Sequence, residues 1–283
     1  MSCYLCGSNS SFKRDGNVRD NPNLDILECS SCGLVYLSTK DHISDDFYKD
    51  SGMSADLDIA SWLKQTCVDD SRRFEFLKEM IADKKILDFG SGVGGFLMQA
   101  KQHASYACGV ELEKRLKNHY MENSIDIFND LDILEDDYFD VVTAFHVIEH
   151  LPDPAMILQK LFSKLKVGGK MIIEVPNSND ALLSIYKNKP FANFTYWSPH
   201  LFLYNSKTLG MLFKKAGLDV AVKFIKYIQR YPLSNHLYWL SNGKPGGHQE
   251  WGNFLDFPSL CKEYEASLAS IGATDTLIAL LRK

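Results

Sequence analysis

Apolar positions change their spacing near residue 83. Before it, Trp62, Phe74, Phe76, Leu77 and Met80 can line helical faces, which predicts helix over 43–82. After it, short apolar runs alternate with amphipathic stretches. "KKILDFG" (84–90), "YACGVEL" (106–112), "SIDIF" (124–128), "FDVVTAF" (139–145) and "KMIIEVPN" (170–177) read as strands. Residues 94–104 and 113–122 read as helices between them, and another helix begins at Pro154 and is expected to stop at Gly168-Gly169. Such alternation predicts a mostly parallel, doubly wound α/β sheet. Beyond it lie an aromatic loop (186–204), a helix (205–216), a sixth strand (217–227), a stretch rich in aromatics and glycines (228–257), and a helix over 258–270. The run "LIALL" near the end is apolar enough for a strand buried on both faces.

The chain has 283 residues, 45% of them hydrophobic, which suits one large α/β domain with small additions. Its net charge of −5 argues against a nucleic-acid binder, which carries a basic excess. "MSCYLCGSNS" has no apolar core of a signal peptide, and no run approaches the roughly 18 apolar residues of a membrane span. Four of the seven cysteines form two CxxC pairs, which fits a reducing cytoplasm better than a disulfide framework.

Those pairs, Cys3/Cys6 and Cys29/Cys32, present four thiolates in the spacing of a tetrahedral zinc site. Gly33 can supply the tight turn after the last ligand. Redox CxxC pairs usually open a helix beside a βαβ unit, and neither pair does. Four thiolates leave no open position, so the zinc is expected to be structural. Residues 1–40 are thus expected to be a zinc ribbon.

"ILDFGSGVGG" places Asp88 at a strand end, followed by Gly90, Gly92, Gly94 and Gly95 and then a helix. Glycines there let a ligand approach the backbone, and the helix start favours negative charge. Glu111 ends the next strand, where an acid holds ribose hydroxyls in Rossmann geometry. A nicotinamide enzyme would satisfy this much. "AFHVIEHLPDP" adds His146, Glu149 and His150 at a strand end that ought to be apolar.

With "HVIEHLPDP" and "LKVGGKMIIEVPN" following the glycine loop in order, the chain resembles class I S-adenosylmethionine-dependent methyltransferases, in the subgroup with HVxEHLxDP after the fourth strand. The resemblance spans roughly residues 43–226. It implies a seven-stranded Rossmann-like sheet, with the last strand antiparallel and inserted beside the fifth. Residues 274–282 would be that strand, and 228–272 an insertion folded over the cofactor edge as a substrate lid. The domains are then 1–40, a helical linker and cofactor cap over 41–82, and 83–283. S-Adenosylmethionine would contact Asp88, Gly90, Gly92, Gly94, Glu111, Asp130, Leu131 and His146, with the Gly90–Gly94 loop at the methionine part, Glu111 at the ribose, and Asp130 and Leu131 at the adenine.

The resemblance also puts the end of the fourth strand beside the reacting methyl group. Three chemistries fit His146, Glu149 and His150 there. His150 or His200, from "SPHLFLYNSKTL", would act as a base on the acceptor hydroxyl. Alternatively, His146, Glu149, His150 and His200 would hold a divalent metal, as the similar ExxEH motif does in small-RNA 2′-O-methyltransferases and ubiquinone-pathway O-methyltransferases. His146 replaces the first glutamate of that motif, which disfavours magnesium. Or the histidines shape the pocket and proximity supplies the rate.

The N-terminal module resembles one that precedes many sugar methyltransferases, and the chain ends too early for the extra domain of the C-methylating ones. This favours O- or N-methylation of a nucleotide-linked or phosphorylated sugar for surface polysaccharide. Tyr196, Trp197, Arg230, Tyr231, Asn235, His236, Lys244 and His248, in aromatic segments rich in hydrogen-bonding groups, are candidates for binding that acceptor, and Lys244 in "GKPGGH" could wrap a phosphate. The rivals are an RNA methyltransferase that grips its substrate with the zinc ribbon, and a non-catalytic cofactor-binding module. The sequence sets no oligomeric state.

Overall fold

Seven strands form the main sheet of the computed structural model, which describes residues 2–43, 47–49 and 57–283. The chain opens with strands β1 (Ser11–Lys13), β2 (Ile26–Cys29) and β3 (Val35–Leu37), then helix α1 (Ile59–Ile81). The alternating part runs β4 (Lys85–Phe89), α2 (Gly95–Ala100), β5 (Tyr106–Val110), α3 (Lys117–Glu122), β6 (Asp126–Phe128), β7 (Phe139–Phe145), α4 (Pro154–Ser163) and β8 (Leu165–Pro176). Next come α5 (Ala181–Ser184), α6 (Lys189–Thr195), β9 (Phe202–Leu203), α7 (Ser206–Lys215) and β10 (Val222–Ile228). Four helices follow, α8 (Leu233–Asn242), α9 (Gly247–Glu250), α10 (Gly252–Leu255) and α11 (Pro258–Ser270), before β11 (Thr276–Arg282).

The sheet order is β10-β11-β8-β7-β4-β5-β6. Pairing is parallel from β8 through β6, whereas β11 runs antiparallel to both its neighbours. The expected insertion of the last strand beside the fifth is therefore observed. Thr276–Leu281 are all buried, as a strand with partners on both edges and cover on both faces requires. Helices over 94–104 and 113–122 are shorter than their pattern suggested, and strand β6 begins only at Asp126, after Ser124 turns through φ +51°.

Three boundaries differ for identifiable reasons. The helix from Pro154 ends at Ser163 rather than at Gly168-Gly169, because Leu165 already pairs with Phe139. The two glycines lie inside β8, beside the register shift between Phe139 and Val141. The sixth strand begins at Val222, not at 217, because the chain leaves α7 through Gly217 at φ +70° and then makes a 3-10 turn over Asp219–Ala221. Among the described residues, the helix expected over 43–82 is confined to α1. Residues 47–49 form a turn, and the side chain of Asp58 caps the helix by accepting from Ser61 N at 3.0 Å. The remainder of that expectation, 44–46 and 50–56, lies outside the described residues.

The cysteine module does not end structurally at residue 40. β3 pairs with β9, so β1-β2-β3-β9 is one small sheet built from the N-terminal segment and from residues 202–203. The loop expected at 186–204 contains α6 and β9. No helix among the described residues is long and apolar enough to cross a membrane.

Candidate active site

Ligands in open α/β sheets bind at the carboxyl ends of the parallel strands, and the candidate residues gather there. β4 ends in the glycine loop. Gly90 sits at φ +75°, and a Cβ on it would collide with Val147, so this position excludes larger residues twice over. Gly94 is the N-cap of α2. Trp62 of α1 lies against Gly92, and Asp70 and Thr66 lie against Gly95. Helix α1 therefore covers the loop.

At the end of β5, Glu111 accepts from Gly92 N at 2.8 Å, Leu112 N at 2.7 Å and Glu113 N at 3.0 Å. Burial raises its pKa, opposed by these amides. Asp88 is buried in the sheet centre and accepts from Thr143 Oγ1 at 2.6 Å. Burial pushes its carboxyl up to about 7 despite that bond. Asp130 is exposed after β6 and caps a 3-10 turn through Asp132 N at 2.9 Å, with Leu131 buried next to it.

β7 ends at Phe145, and His146 then takes φ +55°, a left-handed conformation that costs a non-glycine residue roughly 1–3 kcal/mol. Its backbone N–H donates to Glu174 O at 2.8 Å. Its Nε2 lies between Arg230 Nη1 at 2.9 Å and Glu174 Oε1 at 3.2 Å, while on the other side Nδ1 faces a carboxylate oxygen, which can only accept. Nδ1–H is then the donor to Glu149 Oε1 at 3.2 Å.

That bond aims Glu149 at two other histidines. Ligand atoms of Glu149, His150 and His200 all lie within 4.8 Å of one another. His146 stands outside this group, which corrects the expected set of four. Glu149 Oε2, His150 Nδ1 and His200 Nδ1 are buried and have no hydrogen-bond partner among the described residues. Such atoms are costly to desolvate unless something satisfies them. Burial would raise the Glu149 pKa, but the His146 hydrogen bond, with the imidazoles around the carboxylate, brings it below the ordinary value. Burial lowers both imidazoles, His200 to about 3 with help from His150. Both rings are therefore neutral at neutral pH, the form that ligates metals.

A second polar group was not legible in the sequence. Glu174, fully buried in "MIIEVP", accepts from Arg73 Nη2 at 2.7 Å and Arg72 Nη2 at 2.9 Å. Arg230, at the start of the β10–β11 insertion, pairs with Asp69 of α1. "DDSRR" in α1 and a lone glutamate in an apolar strand were the available signals. The network ties α1, β8 and Arg230 together behind His146.

The other candidates are dispersed. Trp197 lies edge-on to His150 and His200, with ring centroids 6.2 and 5.6 Å away. Tyr196 is buried and packs on Gly16 of the cysteine module. Asn235 is buried and accepts from Gly246 N at 3.3 Å; His236 is buried between Tyr264 OH (2.6 Å) and Gln229 (3.1 Å). Burial holds His236 at about 4. Tyr231 and His248 lie near each other, with ring centroids 6.0 Å apart, and Lys244 lies over Tyr238. None of these five joins the Glu149 group.

The cysteines do converge. Cys3 and Cys32 sulfurs are 3.5 Å apart, as are those of Cys6 and Cys29, and all four lie within 4.8 Å of one another. Zn–S bonds of roughly 2.3 Å in a tetrahedron set sulfurs roughly 3.8 Å apart, so the cluster is close to the size zinc requires.

The chain is similar to known methyltransferases. A ubiquinone biosynthesis O-methyltransferase of Coxiella burnetii is 31% identical over 119 residues, 38% of this chain and 50% of that protein. The chain thus spans about half the length of that curated relative. The protein of the same name from Pseudomonas entomophila is 29% identical over 177 residues, 57% of this chain and 75% of that one. A SAM dependent methyltransferase from Archaeoglobus fulgidus shares the fold, with a TM-score of 0.51 at 18% identity over 76% of this chain and 93% of that one. The family model for a methyltransferase domain matches residues 60–222, more than half of the sequence, and the chain belongs to that family.

Proposed function

We propose that the protein is an enzyme that transfers a methyl group from S-adenosylmethionine to an oxygen of a small hydroxyl-bearing acceptor. The observation that carries the acceptor side is the convergence of Glu149, His150 and His200, whose ligand atoms lie within 4.8 Å of one another, each residue also keeping a buried polar atom without a hydrogen-bond partner among the described residues. The cofactor side rests on the glycine loop under α1 and on Glu111, whose carboxylate stands at the loop's edge where a ribose diol would be read.

One carboxylate and two neutral imidazoles suit a divalent transition metal better than magnesium. When bound, such an ion acidifies an acceptor hydroxyl and orients it. Glu149, His150 and His200 would hold it, with His146 keeping Glu149 in place through its Nδ1–H. A histidine lowered to about 3, as His200 is, makes a weak base at neutral pH, which favours the ligand role over the base role for that residue. Cys3, Cys6, Cys29 and Cys32 would hold a structural zinc.

Oxygen as the methylated atom is supported by the relatives' names; they do not support the sugar-linked acceptor expected from the N-terminal module. We keep nucleotide-linked and phosphorylated sugars as one arm of the test and, after the relatives' names, hydroxyl-bearing ubiquinone precursors as the other. The experiment incubates purified protein and labelled S-adenosylmethionine with both panels and with mixed RNA, before and after a chelator mild enough to leave the thiolate zinc. Expected are transfer to one small-molecule panel, no labelling of RNA, and losses of roughly 10²–10⁴-fold in His150→Ala and His200→Ala. Full activity in both variants would sink the assignment.

A further inference from the structure

The segment that carries His200 is bonded to the N-terminal module on both sides of that residue. Two residues upstream of it, Ser198 has all three of its polar groups engaged from residues 20–42. Its N–H donates to Asp20 Oδ1 at 2.9 Å, and its hydroxyl donates to Asp20 Oδ2 at 2.6 Å. Its carbonyl accepts from His42 Nε2 at 2.7 Å. On the upstream side, Arg19 N donates to Tyr196 O at 2.9 Å, and the Arg19 guanidinium stacks over Trp197 at 4.8 Å. On the downstream side, Leu37 N donates to Leu201 O at 3.2 Å, and β9 pairs with β3.

The chain from 196 to 203 is therefore bound to the module before and after His200, while His200 itself projects toward Glu149 and His150. Ser198 is buried, and a two-oxygen grip by one carboxylate fixes both the position and the rotation of the peptide it holds. A loop without such anchors would sample many conformers, and a donor set loses affinity or rate when one member moves by about an ångström.

We infer that Asp20 is a positioning residue for His200, acting through Ser198, and that the cysteine-bearing module is a working part of the reactive site rather than an arm for gripping a separate macromolecule. This rests on the reading that His200 belongs to the reactive site.

The test uses the full chain with its zinc and follows the His200 imidazole by NMR, its signal identified by disappearance in His200→Ala. In Asp20→Ala the His200 signal should move or broaden, while those of His119 and His248, remote from the module, stay in place. Asp20→Asn keeps an oxygen for the Ser198 N–H and gives up the charged acceptor of the hydroxyl, so its His200 signal should fall between wild type and alanine. Zinc content and melting midpoint identify a variant that has lost the module as a whole; Asp20→Asn then decides. An unmoved His200 signal in both variants, or equal movement of His119 and His248, overturns the inference. The underlying reading fails separately, through unchanged methyl transfer in His200→Ala.

Discussion

Replacing Glu174 by glutamine tests how the site is held from behind. The change keeps the shape of the side chain and removes its charge, leaving Arg73, itself buried, with Asp70 at 3.3 Å as its remaining counter-ion. Breaking one side of a buried ion pair costs roughly 3–5 kcal/mol, a large part of a total stability on the order of 5–15 kcal/mol. The Arg72 side chain is 25% exposed, so solvent screens its share and the lower end of that range applies to it. At roughly 2–4 °C per kcal/mol for a chain of this size, the melting midpoint should fall by roughly 6–20 °C. Burial alone would raise the Glu174 pKa; Arg73, His146 and Arg72 together hold it well below the usual carboxylate range. A folded-state pKa depressed in this way contributes stability above the unfolded value, roughly 4.3, and loses it as pH falls toward the folded value. The gap between wild type and variant should thus be full at pH 7 and narrow below about pH 4.3. Urea denaturation across that series measures it. A variant within about 1 kcal/mol of wild type at pH 7, or a gap that stays constant into acid, would refute the role assigned to this network.

Three further outcomes are expected. Glu111→Ala should weaken S-adenosylmethionine binding by at least about tenfold, since charged hydrogen bonds contribute roughly 1.5–3 kcal/mol each; an unchanged Kd by calorimetry would contradict the assignment. Cys29→Ser should lose one zinc per chain and expose both 1–40 and 196–203 to protease, because β9 completes the module's sheet and structural zinc supplies folding free energy; wild-type protein without zinc by metal analysis would end this reading. Deleting 274–283 removes β11 from between β8 and β10 and should leave no folded domain; a soluble truncation that binds cofactor would show the strand to be dispensable.

The parts of this molecule that could be read from the sequence are those whose cause is local. β7 matches its apolar run residue for residue, and β11 announced itself by an apolar stretch that only a doubly covered strand tolerates. The cysteine cluster followed from spacing alone. The glutamate–histidine group was half visible: Glu149 and His150 share a turn, but His200 reaches them only through the fold. The Asp69–Arg230 and Arg73–Glu174 pairs join segments more than a hundred residues apart, and no periodicity reports such a contact. Ser198 and Asp20 are ordinary loop residues until the β3–β9 pairing brings their segments together. Helix ends were misplaced where a glycine belonged to a strand irregularity, as at Gly168, because a glycine breaks a helix and bulges a strand with equal ease.

The position of β11 constrains the order in which the sheet can be completed. β8 and β10 never touch each other; each hydrogen-bonds to β11. A ribosome must deliver everything up to residue 275 before that gap can be filled. Until then the nascent chain carries two open strand edges facing the same slot, of the kind that recruits foreign strands. The four helices of 233–270 emerge while this slot is still vacant. β11, the last of these strands in chain order, is thus the one that joins β10 to the rest of the sheet, so the β-sheet depends on contacts of long sequence separation and on what shields the slot in the meantime.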